Sequence, residues 1–258
     1  MNKYIQNLMK YKHLIFELVI RDIKVKYKKS ILGVLWTLLN PLLTMVVLTI
    51  VFSNLFRFDI ENFPVYLITG QVMFNFFSES TNMSMMSIND NAQLIKKVYI
   101  PKYIFPISRV LSSFVNLIFS LAAVFLIVIF MKIPIRISSI YAVLSLGYIL
   151  LFAAGIGLIL VSLNVFFRDI QHLYGVVLTA WMYLTPIFYP VNIIPDQYKW
   201  LVFTNPLFYI IQHFRTAIFY GAIPTFELNF ICFINSLGAF LIGLFVFYRA
   251  QDKFILHI

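Results

Sequence analysis

The sequence predicts an all-α integral membrane protein: six transmembrane helices, an N-terminal amphipathic interfacial helix, and re-entrant or interfacial helices before the last span. Three observations predict it. Of the 258 residues, 61% are hydrophobic and 12% charged, and the mean hydropathy is +0.89. A soluble domain carries roughly 45–50% apolar and about 25% charged residues, and even a ~300-residue fold leaves about a quarter of its chain surface in water. A soluble enzyme and a disordered chain are therefore both excluded. The second observation is a recurrence of long charge-free runs. The third is a lopsided distribution of basic residues between the loops that these runs define.

The amphipathic helix comes first. Phe16, Ile20, Ile23 and Tyr27 follow helical spacing, with Leu14 and Leu18 beside them, while Glu17, Arg21, Asp22, Lys24 and Lys28 supply a polar face. Such a helix lies in the membrane interface. It serves as an anchor before the first span, or its polar face also meets a cytoplasmic partner. Charge-free runs at residues 31–56, 110–131, 137–167, 170–195 and 228–248 each reach the ~20 residues needed to cross a hydrocarbon core of about 30 Å. A sixth run, 63–87, is interrupted only by Glu79. Six spans place both termini on one side. With that side cytoplasmic, only Arg57, Lys132, Arg136, Lys199 and Arg215 of the 20 basic residues fall outside, as the positive-inside rule requires. The net charge of +10 is then a topology signal and an attraction to anionic lipid, not a nucleic-acid footprint. The first 30 residues lack the apolar core of a signal peptide. One division of the chain follows: residues 1–30 as the interface helix and 31–258 as the six-span transmembrane domain.

Two segments are not plain spans. In the inside loop 88–106, Asn89 or Asp90 is placed to cap a short helix over 91–98, which Pro101 ends. That helix exposes Leu94, Ile95 and Val98 beside Lys96 and Lys97, to be received by the membrane or by a partner protein. The outer stretch 186–224 holds Pro186, Pro190, Pro195, Pro206 and Pro224 among many aromatics. Its best apolar piece, 200–214, is too short to span twice, so re-entrant or interfacial helices are expected.

Catalytic chemistry is absent. None of the nine glycines precedes a lysine, so there is no phosphate-binding GxxxxGK[ST] loop, and HExxH and GxSxG are missing. His13, His172, His213 and His257 are scattered without ligand spacing and read as interfacial polar residues, and the single Cys232 allows no internal disulfide. No metal site is expected. Glu79 is the one acid inside a run; it snorkels, lines an aqueous path or meets another subunit. Pro41, after Asn40, kinks the first span, and residues 183–190 loosen the end of the fifth. Trp36, Asn40, Trp181, Tyr183 and Tyr189 are candidates to line a conduit between them, against the ordinary reading of tryptophan and tyrosine as interfacial belts.

Several stretches, in order along nearly the whole chain, carry a resemblance. They are Arg21-Asp22-Ile23-Lys24-Val25-Lys26-Tyr27-Lys28 running into Ser30-Ile31-Leu32-Gly33-Val34-Leu35-Trp36 and Asn40-Pro41; Leu94-Ile95-Lys96-Lys97-Val98-Tyr99-Ile100-Pro101; Phe166-Phe167-Arg168-Asp169-Ile170; and Leu184-Thr185-Pro186-Ile187-Phe188-Tyr189-Pro190 leading to Asn205-Pro206-Leu207. The chain resembles the ABC-2 type exporter permeases, within them the branch that exports cell-surface polysaccharides such as O-antigens and teichoic acids. The resemblance implies a homodimer in the bacterial cytoplasmic (inner) membrane, worked by two copies of a separate ATP-binding subunit that holds the ATP and Mg; this chain itself carries no cofactor. It implies a glycan cargo on an undecaprenyl diphosphate lipid. Asn91, Leu94, Ile95, Lys96, Lys97, Val98, Tyr99 and Pro101 would form the coupling helix. Glu17, Arg21, Asp22 and Lys24 of the interface helix would sit over the ATPase. The first and fifth spans would face the conduit, and the 186–224 region would form the outer gate. Lys28, Lys29 and Arg168 would attract the lipid diphosphate, a role that positive-inside anchoring rivals. An ABC-2 permease for a drug or other small amphiphile shares this fold and differs only in cargo. A non-ABC membrane channel would lack the ATPase partner.

Overall fold

The computed structural model describes residues 10–28, 30–52 and 60–257. Lys29 and Arg57, and the parts of the expected elements at 1–9 and 53–59, lie outside the described residues. Ten α-helices are formed by the described residues, joined by turns and 3-10 segments: α1 (Lys12–Tyr27), α2 (Trp36–Val51), α3 (Phe63–Asp90), α4 (Ala92–Lys97), α5 (Ile104–Phe130), α6 (Ala142–Phe166), α7 (Ile170–Leu184), α8 (Lys199–Phe203), α9 (Pro206–Ile218) and α10 (Phe226–Ala250). No strand occurs among the described residues.

Four stretches are long and apolar enough to cross a bilayer: Gly33–Val51, Ile104–Phe130, Ile137–Phe166 and Phe226–Leu256. The runs at 63–87 and 170–195 differ for separate reasons. Helix α3 has 28 residues, about 42 Å at 1.5 Å each, but it is rich in serine, threonine and asparagine. It packs against α2, α5, α6, α7 and α9, so protein rather than lipid surrounds most of it. Several of its hydroxyls turn back onto their own helix, Thr69 to the Val65 carbonyl at 2.8 Å, Ser80 to that of Phe77 at 3.1 Å and Thr81 to the same carbonyl at 2.7 Å, which satisfies these groups without a partner helix. Helix α7 has only 15 residues, about 22 Å, and ends where Thr185-Pro186 turns the chain away.

Around α3 the main core gathers Leu67, Ile68, Met73, Phe77, Leu117, Val124, Ile149, Phe152, Ile210 and Phe214. Helices α6 and α10 form the closest pair. A methyl group at Gly155 would overlap the backbone of Ala239 and Phe240, and one at Gly243 would overlap that of Gly155. Small residues let the two backbones meet where no hydrophobic force between helices is available in lipid. Pro41 is accommodated inside α2. Its missing N–H frees the carbonyl of Thr37, and the Ser120 hydroxyl of α5 donates to it at 3.0 Å, as a proline in a membrane helix requires.

The 186–224 stretch folds as expected into short pieces. Helix α9, the longest, is buried through Leu207, Ile210, Ile211, Phe214 and Ala217. It starts beside the last turn of α7, where Asn205 accepts from the Trp181 indole at 2.7 Å. It returns to the same end of the bundle, where Gly221 lies against Arg136. Asn205 also caps it, accepting from the Leu207 amide at 3.0 Å with Pro206 in the first turn, a residue pair suited to a helix start.

Candidate functional site

At one end of the bundle, α1, α4 and α5 are tied into a single unit. Asp22 is 5% exposed and lies between two arginines, Arg21 at 2.9 Å and Arg109 at 3.3 Å. Arg109 reaches on to Asp90 at 3.0 Å, and Arg21 donates to the Asn91 amide oxygen, also at 3.0 Å. The Asn91 nitrogen in turn donates to the Ser87 carbonyl at 2.7 Å. A buried carboxylate is tolerated here because two guanidinium groups and the Ser112 hydroxyl at 3.4 Å face it. This corrects the expected orientation of α1. Its packed face runs through Leu18, Val19 and Asp22, so Asp22 of the expected polar face is turned inward. The two arginines hold Asp22 in the seam. Glu17 and Lys24 are exposed, and Arg21 is half-buried in the network.

Helix α4 is present, with two corrections. No side chain caps it, because Asp90 is held by Arg109 and Asn91 turns back to Ser87. Ile95 is not presented outward. It is buried with Leu18, Ile88, Ile104, Phe105 and Phe254 in a second core, and Leu94 packs partly against it. A six-residue helix cannot sustain itself in isolation, so Ile95 pins it to the bundle. What α4 presents is Lys96, Lys97, Val98 and Tyr99, the last 94% exposed. Beyond the half-buried Pro101, the Lys102 ammonium donates to the Gln251 carbonyl, joining this loop to the chain after α10. Burial pulls the Lys102 pKa down, and Asp252 partly opposes it.

Further along α3, Glu79 accepts from Lys26 and from Asn116, each at 2.8 Å. Tyr27 donates to the other atom of the Asn116 amide group, its oxygen, at 3.3 Å. Burial foremost, then Glu79, pushes the Tyr27 phenol up to about 12. These residues line a cavity of about 150 Å³ that Trp36 and Asn40 also line. The structure therefore brings Glu79 together with two of the five conduit candidates. Trp181 sits elsewhere, half-buried edge-on to Phe77 and Phe152. Tyr183 is exposed, and its carbonyl accepts from the Tyr189 hydroxyl. Lys28 and Arg168 are exposed and make no side-chain hydrogen bond or ion pair among the described residues; Lys29 lies outside them.

A match to the family described as ABC-2 type transporter covers residues 13–219. The chain belongs to the ABC-2 type transporter family. The ABC-2 match runs from α1 to the end of α9, so both ends of the bundle fall within it. Among relatives, the O-antigen export system permease protein RfbA of Klebsiella pneumoniae is 30% identical over 236 residues, covering 91% of this chain and 90% of the relative. The protein of the same name from Myxococcus xanthus is 32% identical over 223 residues, 85% of each. The polysialic acid transport protein KpsM of Escherichia coli is 26% identical over 250 residues, 93% of each. A multi-pass membrane protein of the ABC-2 kind is thus established by sequence likeness and by its apolar helices.

At the opposite end of this ABC-2 bundle, sequence reasoning missed the main feature. Arg215 is 1% exposed and no ion pair among the described residues includes it. Its guanidinium donates to the carbonyls of Pro186 at 2.7 Å, Tyr66 at 2.9 Å and Ile187 at 3.2 Å, and it lies 3.5 Å from the Tyr66 ring centroid. The Tyr66 hydroxyl donates to the Pro186 and Tyr189 carbonyls at 3.1 and 2.9 Å. Gly70 leaves the room: a methyl there would approach Arg215 to 2.6 Å. His213, expected at an interface, is instead fully buried between Ser145 at 2.6 Å and Asn229 at 2.8 Å. The signal for Arg215 was a lone charge in the last turn of an otherwise largely apolar helix.

Proposed function

We propose that this chain is the permease subunit of an ABC exporter that moves a lipid-linked cell-surface polysaccharide across the cytoplasmic membrane, driven by a separate ATP-binding subunit. The observation that carries this reading is near full-length similarity to polysaccharide-export permeases, together with a chain that has no nucleotide-binding loop of its own. In this reading α2, α3, α5, α6, α7 and α10 are six spans, α1 is the interface helix, and both termini are cytoplasmic. Helix α3 spans as a protein-covered strut, and α7 reaches across with the irregular 185–190 segment.

The working unit is a homodimer with two copies of the ATP-binding subunit, which supplies ATP and Mg. The cargo is a glycan carried on an undecaprenyl diphosphate, of the O-antigen, capsule or teichoic acid kind. Lys96, Lys97, Val98 and Tyr99 meet the ATP-binding subunit. The network Arg21–Asp22–Arg109–Asp90, with Asn91, passes displacement of α4 to α1 and α5. The exposed flanks of α2 and α7, including Trp36, Asn40 and Tyr183, face the conduit. Lys28, Lys29 and Arg168 attract the lipid diphosphate at the inner mouth. Work is transferred only if the permease contacts its motor differently in the two nucleotide states.

The test is Val98→Asp combined with Tyr99→Ala, which leaves Ile95 to hold the helix. Surface glycan is expected to fall severely while the protein still inserts, and the ATPase rate of the complex should stop responding to cargo. Normal glycan display by this variant would refute the coupling role of α4. Undiminished surface glycan after deletion of the gene would refute the export reading.

A further inference from the structure

Helix α3 is covered on nearly every side. Across residues 65–77 every side chain is buried except one, and that one is Asn75. Its amide makes no hydrogen bond among the described residues. An unpaired amide facing hydrocarbon is costly, so Asn75 opens onto something polar. It opens onto the cavity of about 150 Å³ between α2, α3 and α5. Asn75 and Glu79 are one helical turn apart on α3, and Trp36 and Asn40 are one turn apart on α2; residues four apart share a helix face. Two such pairs line this one cavity.

The donor and acceptor inventory is specific. Asn75 offers an amide oxygen and two N–H donors, all uncommitted. Asn40 accepts from Thr44 at 3.4 Å and keeps its N–H donors. Trp36 is 45% exposed, and neither its indole N–H nor its ring face has a partner among the described residues. Glu79 uses Oε1 for Lys26 and Asn116, leaving Oε2 to accept. Planar amides and a carboxylate, each able to span neighbouring hydroxyls, beside an uncovered indole face, match a sugar ring: hydroxyls at the edge, C–H groups on the face. A phosphate fits poorly, because the Lys26 ammonium is already 2.8 Å from the Glu79 carboxylate and an anion would meet that carboxylate. An acyl chain fits less well, because Val72, Phe76 and Leu117 share the lining with Asn40, Asn75, Glu79 and Asn116, whose polar groups it would leave unpaired. The volume suits one ring, not a folded oligosaccharide.

We propose that the cavity between Trp36–Asn40 and Asn75–Glu79 binds a single neutral sugar residue of the exported glycan. This deepens the export reading above and rests on it for the source of the sugar. Binding one ring at a time, through hydrogen bonds that each exchange with water at little net gain, suits a path along which successive residues must be released as readily as they are held.

The probe is a set of neutral methyl glycosides, added to the complete transporter, this chain with its ATP-binding partner, in nanodiscs. Saturation-transfer NMR reads binding. At least one glycoside should bind saturably, and Asn75→Leu should weaken it about threefold to tenfold, as expected for loss of one hydrogen bond. Asn40→Leu, on the facing helix, should do the same and carries the test if the first variant does not reach the membrane. Unchanged affinity in both variants, or displacement of the glycoside by inorganic phosphate alone, overturns the site. Undiminished surface glycan in the deletion strain overturns only the export reading, because glycoside binding is read without reference to export.

Discussion

At the α4 end, Asp22 and Asp90 meet Arg21 and Arg109, so each charge has an opposite charge within 3.3 Å. At the far end, Arg215 faces three backbone carbonyls and a tyrosine ring, with no acid in contact among the described residues. The difference has mechanical consequences. Ion pairs among flexible side chains re-form after small displacements, and Arg21 with 41% of its side chain exposed can exchange partners with water. A guanidinium wedged among fixed carbonyls has no second arrangement to offer, because those carbonyls belong to the turn after α7 and the first turn of α3. The α4 end is joined to α1, α3 and α5 by charges that can re-pair. The opposite end is a clasp that holds the 185–189 turn against α3.

The largest effect should come from breaking the clasp. Arg215→Leu removes a donor from the carbonyls of Tyr66, Pro186 and Ile187. Tyr66 keeps the Thr69 hydroxyl and Pro186 the Tyr66 hydroxyl, so the Ile187 carbonyl bears the full loss of about 1–3 kcal/mol, added to the lost packing of the guanidinium. The variant should insert but unfold at a markedly lower temperature in detergent, and the 185–189 amides should lose hydrogen-exchange protection. Unchanged protection there would mean that Tyr66 and Asn205 hold the turn without Arg215. The cost is an uncompensated carbonyl dipole and lost packing, so the loss should be insensitive to salt.

Asp22→Asn is the matching break at the other end. It removes the negative charge that Arg21 and Arg109 share, leaving two guanidinium groups facing an amide. Part of the cost is relieved because Arg109 keeps Asp90 and Arg21 can turn to water, so about 1–3 kcal/mol is expected, below the 3–5 kcal/mol of an isolated buried pair. The effect on function should exceed the effect on stability. Val98 and Tyr99 would still present, yet ATPase stimulation and glycan display should separate from one another. A variant that loses stability but keeps the two coupled would show that the network is structural only.

How much of this was legible beforehand depends on whether a partner lies nearby in sequence. The charge-free runs, the α4 loop helix and the broken 186–224 stretch follow from local composition, and the described structure has a helix or a break at each. The face of α1 was misread because Asp22 answers to Arg109, far along the chain, and periodicity alone assigns an aspartate to water. Ile95 was read as exposed because the core that receives it is assembled from α1, α3, α5 and the residues after α10. Asn75 went unnoticed: nothing in Phe74-Asn75-Phe76-Phe77 indicates that three aromatics turn inward and one amide does not. Glu79 stood out as a lone acid, but its partner Lys26 became visible only when α1 was laid against α3.

That last pair sharpens the contrast at its smallest scale. Lys26 and Glu79 are 38% and 33% exposed, so their attraction is screened and worth about 0–1 kcal/mol. A double-mutant cycle of Lys26→Met and Glu79→Gln should give a coupling energy in that range, falling further at high salt as Debye screening predicts. Glu79→Gln alone should cost more than Lys26→Met alone, because Glu79 also accepts from Asn116 and Ser113 whereas Lys26 otherwise meets only the Tyr27 ring at 5.7 Å among the described residues and can reach water. A coupling energy well above 1 kcal/mol would place this pair with the buried network at Asp22, and would extend that network one turn deeper into the bundle than the geometry of the ion pairs indicates.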